Sequence, residues 1–177
     1  ASEGYSSRRD GRYVYNYTNA VGQLAPGSVM WESTFVNTFF KPNPYDSSEG
    51  SRGILRNVDF SYSTMLNVNA SRTDFTSSKF DRVDIVGGNF TFADFTGARL
   101  RLNIKSNSDW NGRADFTRAR FSNLYSWYDP NRRLDIRNEL NMDNVNLSYA
   151  LFAGNSDVRI RAKNGSNLQG IIAPDTF

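Results

Sequence analysis

From Phe60 to Leu100 the apolar residues fall on every fifth position: Phe60, Met65, Ala70, Phe75, Phe80, Ile85, Phe90, Phe95 and Leu100. Two places before each stands a small or β-branched residue, namely Val58, Ser63, Val68, Thr73, Ser78, Val83, Gly88, Ala93 and Ala98. The residue between is usually polar, as in Val58-Asp59-Phe60, Val83-Asp84-Ile85 and Gly88-Asn89-Phe90. This spacing matches neither the period of a helix nor that of a flat strand. It is an internal repeat, and a five-residue unit cannot bury its apolar side chain alone. Stacked coils of such units bury a continuous column of them.

The units Val58-Asp59-Phe60-Ser61-Tyr62, Thr73-Asp74-Phe75-Thr76-Ser77 and Ala93-Asp94-Phe95-Thr96-Gly97 resemble the pentapeptide-repeat family. Its pattern is a small residue, Asp or Asn, Leu or Phe, then two polar positions. The resemblance implies an all-β fold, a right-handed quadrilateral β-helix solenoid with one unit per side and about twenty residues per coil. It also implies that the large residue and its small partner point inward while the other three positions face water. Residues one coil apart then stack. Phe35, Leu55, Phe75 and Phe95 form one series, and Phe40, Phe60, Phe80 and Leu100 its neighbour. Past Leu100 the spacing slips, and the first series continues through Phe116, Leu147 and Leu168, the second through Phe121 and Phe152. Small partners travel with them at Ala114, Ala119, Val145 and Ala150. About seven levels result, a column roughly 30 Å long at the spacing of strands in a sheet.

Residues 1–29 lack the register and read as an N-terminal arm or cap, closed by the turn formers Gly22 and Ala25-Pro26-Gly27. The β-helix occupies 30–177, with insertions near 41–53, 102–112, 123–143 and 155–165. Each insertion follows a member of the second series and precedes the next member of the first. Register therefore predicts all the irregular loops on one flank, where solenoids often bind. Within the longest, Leu134 to Leu140 reads as a short helix, and Gly87-Gly88-Asn89 as a tight corner. After Asn167 one last rung and a short exit segment carry no amphipathic capping helix, leaving that end for a partner or a second copy.

Composition removes most chemistries. The 177 residues contain neither His nor Cys. That excludes Ser-His and Cys-His nucleophiles, disulfides and the usual zinc sites. No glycine-rich loop ends in Gly-Lys-Ser/Thr. Neither a cofactor nor a metal is expected, since an Asp-Asp calcium pair lacks the oxygen ligands clustered on one loop. Paired carboxylates remain, because some parallel β-helices act on glycans with Asp groups. The candidates Asp59, Asp74, Asp84, Asp94 and Asp115 all occupy the polar slot before the large residue, which explains them as outward repeat positions. The sequons at Asn16, Asn69, Asn89 and Asn146 are expected by chance in a chain this rich in Asn, Ser and Thr, and the last three share that slot.

Some family members mimic DNA toward a type II topoisomerase, which needs a polyanionic surface. Here the net charge is +3, and from Val58 to Leu102 five Arg or Lys balance five Asp. Topoisomerase modulation is thus a disfavoured alternative, as is a glycan-active enzyme. Asp129 and Asp135 interrupt the arginines near Tyr125, so nucleic acid is not the expected partner either. A surface rich in Tyr, Trp and Arg is more often a protein interface. The expected contacts are Trp110, Tyr125, Trp127, Tyr128, Arg132 and Arg133, with Arg8, Arg9, Arg12 and Tyr13 of the arm as a second set. The function expected is a non-enzymatic scaffold subunit docking on a larger protein assembly. No apolar run approaches the ~20 residues of a membrane helix. The family's abundance in cyanobacteria and chloroplast lumens implies an accessory subunit of a photosynthetic or other membrane complex. It favours the thylakoid lumen or periplasm, with the cytoplasm as the alternative. Ala1 at the start fits a processed form, initiator-Met removal or a trimmed chain equally.

Overall fold

The computed structural model describes residues 13–16, 24–40, 52–107, 112–155 and 158–172. Each five-residue unit makes one short extended rung and one corner. The corner residue has a left-handed backbone, at φ 47° in Asn37, 50° in Asn67 and 60° in Ser77. Asn and Ser suit this conformation because a short polar side chain can bond locally. At Gly87 and Gly88 the φ values are 63° and 95°, and a Cβ on Gly88 would lie 2.9 Å from the Val68 carbonyl oxygen. That is the tight corner expected there.

Among the described residues the strands in chain order are β1 (Val14–Asn16), β2 (Thr34–Val36), β3 (Thr64–Leu66), β4 (Lys79–Val86) and β5 (Arg99–Lys105). They are followed by β6 (Trp127–Asp129), β7 (Leu134–Ile136), β8 (Asn138–Asp143) and β9 (Val158–Lys163). Seven of them pair in the order β1-β2-β3-β4-β5-β8-β9, every neighbour parallel. This sheet is wall A, centred on Tyr15, Phe35, Met65, Ile85, Ile104, Met142 and Ala162. Wall B is a ladder of bridges through Phe39, Asn69, Asn89, Asp115, Asn146 and Asn167. Wall C runs through Ile54, Asp74, Asp94, Arg120, Leu151 and Ile172, and wall D through Val29, Asp59, Lys79 and Arg99. The chain visits A, B, C and D in turn, so the fold is the all-β quadrilateral solenoid of pentapeptide repeats.

The next residue on each ladder points inward. Phe40, Ala70, Phe90, Phe116 and Leu147 are buried behind wall B, and Leu55, Phe75, Phe95, Phe121 and Phe152 behind wall C. Met30, Phe60, Phe80 and Leu100 are buried behind wall D. Rings one coil apart stack, Phe75 on Phe95 at 5.1 Å, Phe95 on Phe121 at 5.1 Å and Phe90 on Phe116 at 4.6 Å. Across walls they meet edge-on, as Phe75 and Phe80 do at 84°. The small partners Val58, Val83, Ala93, Ala98, Ala114, Ala119, Val145 and Ala150 are fully buried beside them. Where the partner is polar its hydroxyl is satisfied, Ser63 donating to the Met30 carbonyl at 2.8 Å and Ser78 to that of Leu55 at 2.6 Å.

Several register assignments need correction. Phe35 stacks over Met65 on wall A, and Phe40 over Ala70 on wall B, so neither begins the series expected for it. The step from Phe40 to Leu55 turns a single corner, and counting it as three units misplaced the first coil by two walls. After Leu100 the strand β5 continues to Ile104, four residues on rather than five, with a bulge opposite Asp81 and Arg82. The step from Ile104 to Phe116 then turns a single corner, so Phe116 lies under Phe90 and Phe121 under Phe95, each one wall from its expected place. Leu168, expected in the core stack, is 36% exposed.

The insertions do not share one flank. The residues 102–105 belong to β5, and the departure comes after them, at the A/B corner, where Asn107 and Gly112 bridge. The departure after Phe121 is a hairpin at the C/D corner, and that after Phe152 is short, with the chain back in a strand by Val158. Most of 41–53 lies outside the described residues. The helix expected from Leu134 to Leu140 is instead β7 leading into β8. Ile136, Asn138, Leu140 and Met142 are all buried at alternate positions, and that two-residue period prevails over helix propensity.

Replacing Phe95 by Ala is expected to cost about 3–5 kcal/mol. Tyr62→Ala, at an exposed corner, should cost within about 0.5 kcal/mol. Urea denaturation midpoints of the two variants check the inward assignment, and equal losses would refute it.

Candidate functional site

The one excursion described in full starts where Phe121 leaves wall C. Tyr125 donates its backbone N–H to the Ala98 carbonyl at 2.8 Å, and the chain then leaves the column as β6 and β7, paired antiparallel. Asp129 shapes the turn, accepting from the backbone N–H groups of Asn131 at 2.9 Å and Arg132 at 3.3 Å. Asn138 returns the chain to the column, its Oδ1 accepting from the Leu100 N–H at 2.8 Å. A lone two-stranded hairpin is marginal in water. This one is anchored by buried Ile136 and by Arg99, whose guanidinium lies 4.8 Å from the Tyr125 ring centroid and 4.7 Å from that of Trp127.

The hairpin gathers Tyr125, Trp127, Tyr128, Arg132 and Arg133 onto one projection. Tyr125 is 55% and Tyr128 57% exposed, and Leu134 is exposed beside them. Arg132 reaches Asp129 at 3.4 Å across the turn. Trp110, Arg8, Arg9 and Arg12 lie outside the described residues. Tyr13 stacks on Tyr15 at 5.9 Å, and Tyr15 on Phe35 at 5.1 Å, so this part of the arm packs on the end of the core. Arg99 was missed in the sequence. It occupies an outward slot like any other, and its aromatic partners come some 26 residues later in the chain, beyond the reach of periodicity.

The five candidate carboxylates are dispersed over all four walls, and most are committed to corners. Asp94 Oδ1 accepts from the Thr96 N–H at 2.9 Å and its hydroxyl at 2.6 Å, and Asp115 does the same for Thr117. Asp59 and Asp74 each accept from the N–H two residues on, at 3.0 Å. Asp84, on wall A, meets Asn103 at 3.4 Å. The amides of Asn69, Asn89 and Asn146 hold the same kind of turn, which accounts for these sequons. A cleft of about 460 Å³ lies outside wall A, and its polar groups largely bond one another, as in the Asp84–Asn103–Asn141 ladder. Among the described residues no three acidic side chains converge as metal ligands.

A parallel solenoid of five-residue units, with Asx-stabilised corners and a phenylalanine interior, defines the class of protein. Residues 54–91 match the family model for pentapeptide repeats in 8 copies, so this stretch of the column is built of pentapeptide repeats. It is similar to the solved structure of HetL, a pentapeptide repeat protein involved in heterocyst differentiation regulation from the cyanobacterium Nostoc sp.. The identity is 16%, over 91% of this chain and 73% of that one, with a TM-score of 0.26. None of the curated proteins matches.

Burial acts to raise the Asp74 carboxyl, but the Thr76 N–H, the Arg56 guanidinium and the Thr76 hydroxyl outweigh it and hold the group below its ordinary 3.8. A depressed folded pKa contributes stability that is complete above the unfolded value and is lost as pH falls through the folded one. Asp74→Ala is therefore expected to cost about 1.5–3 kcal/mol at neutral pH. The gap between native chain and variant should close as pH drops below 3.8, as read from denaturation midpoints across the acid range.

Proposed function

We propose that this protein is a non-enzymatic scaffold whose rigid column presents the β6–β7 hairpin to a protein partner. The observation that carries the reading is the gathering of exposed Tyr125, Tyr128 and Leu134 with Trp127, Arg132 and Arg133 on one anchored projection. Tyr, Trp and Arg dominate the energetics of protein interfaces, and a hairpin already pinned by Arg99 loses little entropy on docking. The arm bearing Arg8, Arg9 and Arg12 is proposed as a second contact. A photosynthetic or other membrane assembly as the setting rests on the family resemblance alone.

The wall chemistry supports this reading over DNA mimicry. Wall D reads Asp59, Lys79, Arg99 and wall C reads Asp74, Asp94, Arg120, while wall B carries mostly Asn. None of these ladders offers the unbroken negative charge that imitates a phosphate backbone.

The test is affinity capture with the intact chain from its native source, comparing it with Tyr128→Ala and Arg133→Ala. A stoichiometric protein should be retained by the native chain, and each substitution should weaken it by about tenfold, roughly 1.4 kcal/mol. Undiminished capture by both variants would remove the hairpin from the interface.

A further inference from the structure

A second feature lies below the hairpin, where wall D turns toward wall A. A cleft of about 170 Å³ opens there between two indoles, Trp31 at one end and Trp127 at the other. Its floor is built by successive coils, which contribute Asp59, Lys79, Asp81 and Arg99. We propose that this cleft binds a neutral oligosaccharide.

Both walls are pre-set. Trp31, 44% exposed, donates its Nε1–H to Asp59 Oδ2 at 2.7 Å, which fixes the plane of a ring that contributes little to the core. Trp127 is held by the Arg99 guanidinium. The floor is equally rigid. Asp59 Oδ1 accepts from the Ser61 N–H at 3.0 Å, and the Ser61 hydroxyl accepts from the Asp81 N–H at 3.2 Å. A ligand entering here orders almost nothing that is not already ordered.

Charge selects the ligand class. Two carboxylates and two cations line the cleft, and Arg101 from outside it lies 3.4 Å from Asp81. A phosphate or sulfate group meets Asp59 and Asp81, while a quaternary ammonium meets Lys79 and Arg99. An apolar ligand would strip water from all four. Sugar hydroxyls both donate and accept, so they match alternating carboxylates and cations, and the C–H faces of a pyranose ring lie flat on an indole. The cleft is smaller than the ~300–1,000 Å³ of pockets that enclose a whole ligand. It takes a short segment of a chain that continues beyond both indoles.

Titration of the intact chain with neutral β-linked hexose and N-acetylhexosamine tetrasaccharides, followed by tryptophan fluorescence and calorimetry, tests this. Saturable binding of at least one neutral probe is expected, weakened tenfold or more by Trp31→Ala and less by Trp31→Phe. Sulfated counterparts should bind no better. Circular dichroism confirms that the variants keep the fold, as expected for a half-exposed side chain. The proposal is overturned if no neutral saccharide binds, if Trp31→Ala binds like the native chain, or if sulfated probes are preferred. Because Trp31 is not part of the hairpin, loss of partner capture in Tyr128→Ala with saccharide binding intact separates this site from the docking surface.

Discussion

Everything in this molecule depends on one spacing. Parallel rungs repeat at about 4.8 Å, and two phenyl rings in offset contact also want their centroids about 5 Å apart. Phe75 over Phe95 over Phe121 over Phe152, at 5.1, 5.1 and 4.9 Å, satisfies both conditions at once. The backbone hydrogen bonds between coils and the ring stack inside them thus support the same geometry. A residue that shortens or lengthens one coil must be expelled at a corner, since the interior cannot absorb it.

That constraint explains what was legible in the sequence. From Leu55 to Leu100 the coil has a constant length, and period, inward slots and small partners all follow from it. Outside that stretch Phe116, Phe121, Leu147 and Phe152 remained recognisable as interior, but not their walls, while buried Leu102, Ile104, Leu140, Met142 and Val158 fell inside the expected loops. The long steps from Phe40 to Leu55 and from Ile104 to Phe116 each turn only one corner, and a bulge at Asp81 and Arg82 leaves β5 one residue shorter between Leu100 and Ile104. Counting in fives sees residues, whereas the fold counts corners. Phe116 and Phe121 were correctly read as core and wrongly placed by one wall for that reason. The error spread to the loops, whose supposed common flank depended on the same count.

The candidate surface was legible in composition only. Tyr125, Trp127, Tyr128, Arg132 and Arg133 are conspicuous among Asn, Ser and Thr, and they do converge on one hairpin. What periodicity hides is the partner on the column. Arg99 fills an outward slot indistinguishable from those of Lys79 or Asp59, yet it is the residue that fixes both aromatic rings. Trp31 is similar, an outward residue of the first coil whose meaning appears only once Asp59 and Trp127 are brought to it.

The corners show where the column spends stability on surface chemistry. At the A/B and C/D corners the left-handed positions hold residues suited to them, among them Asn37, Asn67, Gly87 and Asn144, and Asn57, Ser77, Gly97 and Gly154. The other two corners place Tyr62 and Arg82, and Arg72, Phe92, Arg118 and Tyr149, in the same conformation. A bulky residue there costs roughly 1 kcal/mol relative to glycine. Little of that is recovered from burial, since Tyr62, Phe92 and Tyr149 are each about half exposed. Turn chemistry alone would have selected Asn or Gly at every corner. The interior therefore dictates where side chains emerge, and the departures from the cheapest corner residue mark where the protein's outer surface is itself constrained.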